Sequence, residues 1–491
     1  MDLIRQELKF YIPSGEKISG FSETTDVIIP DSYPDFDESV FSCATINVKD
    51  ELKQPGRILI SGQIDAVILY RCYSQDGLYR LNIPLNFAHV EDTKGVLENA
   101  LHFMRYDISQ VDVRMVNSRK ISVTCTCVMY PKAFEPSFRS VTSGIQDPEP
   151  SLCTRSSKQT VKMISAAETK RFVILDDLEL SQKDDQTPIH TEVRFEGVEC
   201  AVSNGRLILN GTAILGIWEK NENTQVLYHR HNIPFHQILE SDTLCDNVPT
   251  RIFLSCHSVI CHYANSEILS VNINTEALSL QETQHEICGI EDLYDLNRQA
   301  EPVFQPISLS TISENGSFTC SGSETLTAAN SISDIISTEL TVCSMLPAEP
   351  NEVKCILSCS LLYLDDAQKI HHLQKQHPVV LHCNGLENAG SVSDLVCTAD
   401  TSAQDKQITL RISGKGSMMK CDTLSFPNLH ELSFSPADAP DVHPIRILFI
   451  EEPTSLWQIA KKNRSTTQMI AQCNGLAENI TEVSHMKLLI P

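Results

Sequence analysis

The chain has little positive charge for its length. Its 491 residues include 39 Lys and Arg against 63 Asp and Glu, which gives a formal net charge of −24. Nucleic acids and anionic membrane surfaces are bound through basic patches, and no stretch of this sequence forms one. Neither is therefore expected as a partner.

Long apolar runs are also missing. No run approaches the roughly 18 consecutive apolar residues of a membrane-spanning helix, so membrane insertion is not expected. Residues 1–9 carry charges at Asp2, Arg5 and Glu7, where a secretory signal peptide has its apolar core. We therefore expect a cytoplasmic protein.

The sequence lacks the motifs of common catalytic sites, namely a phosphate-binding glycine loop and a nucleophile elbow. Paired carboxylates occur at Asp176-Asp177 and Asp365-Asp366, but both pairs fall at predicted turns, where acidic residues are favoured for backbone reasons. The segment from Cys256-His257 to Cys261-His262 contains metal-ligand types. Side chains alternate along such a strand-like segment, so at most half of these four converge on an ion. We expect no enzymatic activity, cofactor or metal site.

Cysteine, in contrast, is frequent, with 18 residues. Because no export signal is expected, these cysteines are predicted to be reduced, small apolar residues of the core. Cys125 and Cys127 are two residues apart in a strand-like run, and Cys355 and Cys359 are four apart. Each pair is therefore predicted to point to one face of its strand.

Several landmarks of the chain recur in the same order. The first copy contains the apolar segment 57–62, the run 66–70, Asn82-Ile83-Pro84 and the strand-like 121–123. Counterparts of the first, third and fourth landmarks follow 149, 150 and 148 residues later, and a fainter third copy is carried by residues 359–363, Pro378 and 408–410. Units of this length have room for a core of their own, so we predict a tandem array.

Within each unit the pattern is that of β-strands. Residues 121–129 alternate between inward and outward types, and Asp76-Gly77 predicts a hairpin tip. The predicted fold is mainly β: three tandem antiparallel β-sandwich or barrel-like repeats and a small C-terminal βααβ module. The predicted boundaries are a lead-in at 1–20, repeats at 21–145, 165–285 and 316–425, and the tail at 443–491. Residues 286–330 are expected to form exposed loops and 435–441 a linker.

The tail is the only part with a helical pattern. A strand at 446–450 precedes a helix with Ser455 at its N-cap and Gln458 reaching back to it. Ser465 or Thr466 caps a second helix, which is predicted to turn Met469, Ile470 and Cys473 inward and to end at Asn474-Gly475. Residues 487–491 form the closing strand, which completes the order strand, helix, helix, strand.

Residues 446–491 resemble a LysM domain. In that family, glycans containing N-acetylglucosamine lie in a groove between the loop after the first strand and the loop before the last. This chain has Pro453-Thr454 where the family usually has Gly-Asp, and Ser484-His485 where it usually has Pro-Gly. The changes remove a carboxylate acceptor and two flexible glycines, which favours docking onto a protein over binding a glycan.

The repeats, taken together with that tail, resemble the spore-coat structural (SPOCS) domains of SipL-like spore-coat morphogenetic proteins. The resemblance is carried by Pro30-Asp31, residues 58–62, residues 67–70, Ile83-Pro84 and their counterparts. It implies a non-enzymatic adaptor of spore-coat or envelope assembly in the mother-cell cytoplasm, at the forespore surface. It also implies a coat-basement ATPase such as SpoIVA as the protein partner, while the repeats leave self-association open.

The predicted contact site is formed by the exposed parts of the tail's two loops and first helix. Its residues are Glu452, Pro453, Thr454, Gln458, Lys461, Lys462, His485 and Met486. Trp457 is predicted to anchor the first helix. In the alternative function, the same loops bind peptidoglycan or another N-acetylglucosamine glycan, and the repeats act as a spacer.

Overall fold

The computed structural model of the chain describes residues 2–14, 17–54, 56–93, 99–179, 188–220, 226–264, 267–346, 349–386, 391–436, 446–477 and 479–491. The fold is mainly β, as predicted, with two short helices in the tail. Among these residues, no helix is both long and apolar enough to cross a membrane. Most of the expected linker at 435–441 lies outside the described residues.

Three successive stretches of the chain have a similar order of strands, with seven described strands in the first and six in each of the others. The first stretch contains β1 Leu3–Ser14, β2 Ser19–Ile28, β3 Glu38–Gln54, β4 Arg57–Cys72, β5 Gln75–Asp92, β6 Leu101–Asn117 and β7 Lys120–Ile145. The second contains β8 Leu152–Glu179, β9 His190–Ser203, β10 Arg206–Lys220, β11 Val226–Glu240, β12 Thr250–Tyr263 and β13 Ile268–Asp295. The third contains β14 Arg298–Thr327, β15 Ile332–Met345, β16 Glu352–Asp365, β17 Ile370–Asn384, β18 Ser391–Gln404 and β19 Gln407–Pro436.

Each stretch folds into two antiparallel layers. One layer is a three-stranded meander: β3-β4-β5, β9-β10-β11 and β15-β16-β17, of which the third is joined to its other layer by the pairing of β17 with β14. In the other layer, the last strand of the stretch pairs with the strand before it and with the first strand, as β13 does with β12 and β8. Alternate side chains from both layers fill the space between them, including Ile60 and Ile68 from β4 and Val123 and Cys125 from β7. This packing is that of a β-sandwich.

The longest strands extend beyond the sandwiches as three two-stranded ribbons. Residues 133–145 of β7 pair with β1, residues 152–164 of β8 with 282–295 of β13, and residues 298–312 of β14 with 421–436 of β19. The ribbons pack on one another through one apolar cluster: Leu8, Phe10, Val141, Val161, Met163, Ile287 and Leu309. We call this six-stranded assembly the stalk.

The expectation of exposed loops at 286–330 was wrong. Residues up to 295 belong to β13, and 298–327 form β14, which pairs along its length with β19. Its inward positions are apolar, such as Leu309 and Phe318, while serine and threonine occupy much of the other face. A ribbon with one polar face resembles a loop in composition. Its partner strand lies about 100 residues away in the sequence, so the local pattern does not reveal the pairing.

One other local expectation was also wrong. The hairpin between β4 and β5 turns at Tyr73 and Ser74, because Cys72 pairs directly with Gln75, so the tip precedes Asp76-Gly77. The residues expected as a lead-in contain β1, which is part of the stalk.

The tail has the predicted order of elements. It contains β20 Arg446–Ile450, β21 Thr454–Ser455, α1 Leu456–Asn463, α2 Thr467–Cys473, β22 Glu482–Val483 and β23 Met486–Ile490. Strand β20 pairs with β23, and β21 pairs with β22. Its core contains Leu456, Ile459 and Ala460 of α1 together with Ile470 of α2, and Asn474 joins the end of α2 to the backbone of Leu489.

The helix ends correct two details of the prediction. Ser455 stands at the N-cap of α1, but its side chain makes no capping hydrogen bond, whereas Thr466 caps α2 by accepting from the Met469 N–H at 3.0 Å. Met469 and Cys473 are exposed, and only Ile470 of the predicted three is buried. Residues four apart share one face of a helix, and in α2 that face is turned to solvent.

Candidate functional site

The two loops predicted to bind a partner lie side by side. The first follows β20 and the second precedes β23, and the register places Ile450 opposite Met486 and Thr454 opposite Val483. The short pairing of β21 with β22 therefore closes the loops into one end of the tail. His485 adopts a left-handed backbone conformation with φ 49°, which produces the tight turn into β23.

The predicted contact residues separate into two groups. Glu452, Pro453, Thr454, His485 and Met486 gather at this loop end, whereas Gln458, Lys461 and Lys462 lie along α1. All are exposed except Thr454 and Met486, which are half-buried. The Thr454 hydroxyl donates to the Glu452 carbonyl at 2.9 Å, so its proton is used within the first loop.

Helix α1 is attached to the stalk by one carboxylate. Asp292, near the end of β13, accepts a hydrogen bond from the Trp457 indole N–H at 2.7 Å and another from the Lys461 ammonium group. Burial alone would raise the pKa of Asp292, but these two hydrogen bonds lower it below its usual value of 3.8. Lys461 is therefore engaged within the chain, and Trp457 anchors α1 to the stalk as well as to the tail.

Aromatic packing reinforces this attachment. The Tyr294 ring meets the Trp457 ring edge-on, with centroids 4.9 Å apart, and the Tyr294 hydroxyl donates to the Ser465 carbonyl at 2.7 Å. Tyr294 is only 5% exposed and belongs to the apolar core of the tail. The Arg155 guanidinium lies 5.6 Å from the centre of the Trp457 ring. The tail and the end of the stalk thus share one core.

The apolar residues Ile447 and Phe449 lie on the outer face of β20, directly before the loop end. They are 59% and 69% exposed. The ammonium group of Lys487, which stands opposite Phe449 on β23, lies 5.1 Å from the centre of that ring. We call Ile447, Phe449 and the loop residues Glu452, Pro453, Thr454 and His485 the docking end. The sequence pattern did not single out these two apolar residues, because an exposed apolar strand face has the same composition as a buried one.

A second candidate site is the central cavity, of about 400 Å³. It lies where the three stretches meet, and each contributes the first strand of its meander and the strand before its last: β3 and β6, β9 and β12, and β15 and β18. Hydroxyl groups and apolar side chains share the lining, among them Ser337, Thr341 and Leu340. The charged lining residues are Arg105, Asp107, Glu192, Arg194, Glu339 and Asp394.

Arg105 contributes to the junction of the first and third stretches. Its guanidinium donates to Asp394 at 2.9 Å, lies 3.6 Å from Asp107, and stacks on the Tyr130 ring at 3.9 Å from its centre. Burial alone would lower the pKa of Arg105, but Asp394 and Asp107 raise it. The Tyr130 hydroxyl donates to the Val342 carbonyl at 2.7 Å, so this cluster ties the two stretches together.

No family model, curated protein or solved structure matches this chain. Its function must therefore be inferred from the geometry of these sites and from the sequence.

The cysteine and histidine segment considered for metal binding has another role. His257 is an extra residue in β12, between Cys256 opposite Thr275 and Ser258 opposite Asn274. This β-bulge turns its imidazole toward Glu276, 3.3 Å away, and both side chains are 8% exposed. Within the described part of the chain, no three His, Cys, Asp or Glu residues are placed to hold a metal ion.

The paired carboxylates also differ from each other. The pair Asp365-Asp366 lies at a turn as predicted: Asp365 ends β16, and its side chain accepts from the backbone N–H groups of Ala367 and Lys369 in the turn that follows. The expected turn at Asp176-Asp177 was wrong, because both residues lie within β8, where Asp177 pairs with Ser270. Neither pair lines the central cavity.

Proposed function

We propose that the chain is a non-enzymatic adaptor of spore-coat or envelope assembly, which docks onto a partner protein through the docking end. The observation that carries this proposal is the contrast between the two sides of the tail. Helix α1 is fixed to the stalk through Trp457 and Asp292, while both loops and the outer face of β20 are exposed. A site held on a rigid support keeps its shape, which reduces the entropic cost of binding.

The chemistry of the docking end favours a protein over a glycan. Two exposed apolar side chains, Ile447 and Phe449, lie beside acidic Glu452 and His485. Protein interfaces combine a central apolar anchor with a polar rim in this way. The first loop contains Pro453 and no glycine, and the proton of Thr454 is already used in a hydrogen bond within that loop.

The partner implied by the resemblance is a coat-basement ATPase such as SpoIVA, and the mother-cell cytoplasm at the forespore surface is the corresponding location. The three sandwiches and the stalk then serve as a scaffold. Because the stalk joins all three stretches into one apolar cluster, we infer that a load on the tail is transmitted to every sandwich.

The test uses the full-length chain and the purified coat-basement ATPase in a surface-binding measurement. Phe449→Ala and Glu452→Ala are expected to weaken binding, by about tenfold or more for Phe449 if it is an interface anchor. Gln472→Ala, an exposed change on α2 away from the docking end, is the matched control and is expected to bind normally. Equal binding by all four proteins would reject this site.

The alternative function is binding to peptidoglycan or another N-acetylglucosamine glycan. It is supported by the adjacency of the two loops, between which LysM domains hold their glycans. Sedimentation of the full-length chain with peptidoglycan, compared with a chain in which Pro453-Thr454 is replaced by Gly-Asp and Ser484-His485 by Pro-Gly, separates the two functions. The adaptor proposal predicts no sedimentation of the native chain, and strong sedimentation would replace it by the glycan function.

A further inference from the structure

The charged groups that line the central cavity do not balance. Arg105 faces Asp107 on its own strand and Asp394 from the third stretch. In the same way, Arg194 pairs with Glu192 on its own strand at 3.2 Å and lies near Glu339 from the third stretch. Two guanidinium groups thus face four carboxyl groups, and the third stretch supplies one extra acid to each arginine.

Histidine does not correct this imbalance. His190 also lines the cavity, and burial lowers the pKa of its imidazole to about 4. It is therefore neutral near pH 7, where its ring nitrogen lies 3.3 Å from the Thr45 hydroxyl. With every carboxyl group ionised, the charged lining groups carry a net charge of two negative units.

Glu339 is the acid of the cavity whose carboxyl group has the fewest stabilising contacts. Among the described residues, no hydrogen bond or ion pair reaches its carboxyl group, and Arg194 acts on it only at longer range. Burial first, and then the negative charge of Glu192, raise the pKa of Glu339 to about 8. An ionised carboxylate is costly in such a place without a nearby positive charge. A cation in the cavity would supply that charge.

The arrangement of the acids distinguishes between classes of cation. Calcium and magnesium ions need several oxygen ligands that converge on one point, and the described residues form no such group. The carboxyl groups instead come from four different strands, β6, β9, β15 and β18. Apolar residues, including Ile46, Val193 and Leu340, line the cavity together with these acids. Separated charges with apolar wall between them match amino groups joined by methylene chains.

The size of the cavity is compatible with such a molecule. Its volume of about 400 Å³ lies within the roughly 300–1,000 Å³ of small-molecule sites. We propose that the central cavity binds an aliphatic diamine or polyamine, with one ammonium group at Glu339 and another at the Asp107–Asp394 pair. The ligand would contact all three stretches, and so would hold the sandwiches together. This inference does not depend on the adaptor function.

Calorimetric titration of the full-length chain with spermidine, at physiological salt, tests the proposal. One saturable site per chain is expected. Glu339→Gln should weaken it by about tenfold or more, as expected for loss of a hydrogen bond to a charged group. This variant breaks no contact within the described chain, so its fold is expected to persist, and circular dichroism checks that. Asp394→Asn is a second cavity variant and should weaken binding as well.

The control addresses the net charge of −24, which attracts polyamines to any surface carboxylate. Glu431→Gln removes one charge from a side chain that is 73% exposed, and its affinity for spermidine should equal that of the native chain. A neutral diol of similar length should not bind. The proposal is overturned if binding does not saturate at one site, if Glu431→Gln weakens it as much as Glu339→Gln, or if both cavity variants bind as the native chain does.

Discussion

Phe87 of β5 lies directly opposite Gly62 of β4, and its ring covers the space that a side chain at position 62 would occupy. A Cβ atom added to Gly62 would lie 2.9 Å from Cε1 of that ring and would also overlap the Asn47 carbonyl oxygen. The second stretch repeats the arrangement, with Phe235 opposite Gly211 and its Cζ 2.7 Å from an added Cβ. An aromatic ring over a strand glycine is a known means of fixing the register of a sheet.

This relationship predicts the effect of adding one methyl group. Gly62→Ala and Gly211→Ala should each lower the free energy of unfolding by about 1–3 kcal/mol, because the ring must move within a packed core. Denaturant unfolding followed by circular dichroism measures the change. Gly316→Ala is the matched control, since its added Cβ meets only the Met418 methyl carbon at 3.8 Å. Equal effects at all three positions would show that the rings do not constrain these glycines.

The attachment of the tail predicts the behaviour of a variant at Asp292. Asp292→Ala removes the acceptor of both the Trp457 and the Lys461 hydrogen bonds, and hydrogen bonds to charged groups contribute about 1.5–3 kcal/mol. Backbone amides of α1 should therefore exchange with deuterium about tenfold faster or more. Glu286→Ala, which removes an exposed carboxylate from the same strand, should leave this exchange unchanged. Unaltered exchange in Asp292→Ala would mean that other contacts hold the tail.

The sequence predicted the elements that depend on local patterns. The strands and helices of the tail and the inward direction of Cys125 and Cys127 follow from periods of 3.6 and two residues, and the structure confirms both. Contacts between distant residues were not predictable in this way. Asp292 and Trp457 are 165 positions apart, and the cavity combines residues of nine strands, none of which carries a recognisable motif alone.

The cysteines predict a graded reaction with a thiol reagent. All 18 are free in the structure, and only Cys245 and Cys473 are exposed. Thiolates are the reactive species, and burial raises the pKa of Cys125 and Cys256 to about 12. With an aromatic disulfide reagent at mildly alkaline pH, Cys245 and Cys473 should react rapidly and the buried thiols only after unfolding.

Mass spectrometry of the labelled peptides identifies the reacting cysteines. A Cys245→Ser, Cys473→Ser double variant should lose the rapid phase of the reaction. Rapid labelling of Cys125 in the native chain would contradict the packing described for the first sandwich.

Glu339 predicts a change of stability with pH. Its pKa is about 8 in the folded chain against a usual value of 4.5, so the folded state retains a proton that the unfolded state has lost. Stability should then decrease as pH rises between these two values, by at most about 1.4 kcal/mol for each pH unit. The charged groups that act on Glu339 are Glu192 and Arg194. The ion pair between these two residues is present in the native chain and in Glu339→Gln alike.

Glu339→Gln removes this titration and should therefore be more stable than the native chain at pH 8. At pH 5 the difference should be much smaller, because that pH lies close to the usual pKa of 4.5 and far below the raised pKa of the folded chain. The midpoints of urea unfolding at the two pH values give the comparison, with Glu431→Gln as the exposed control. If the advantage of Glu339→Gln is the same at both pH values, the pKa of Glu339 is not raised in the folded chain, and its carboxylate needs no cation to stabilise it.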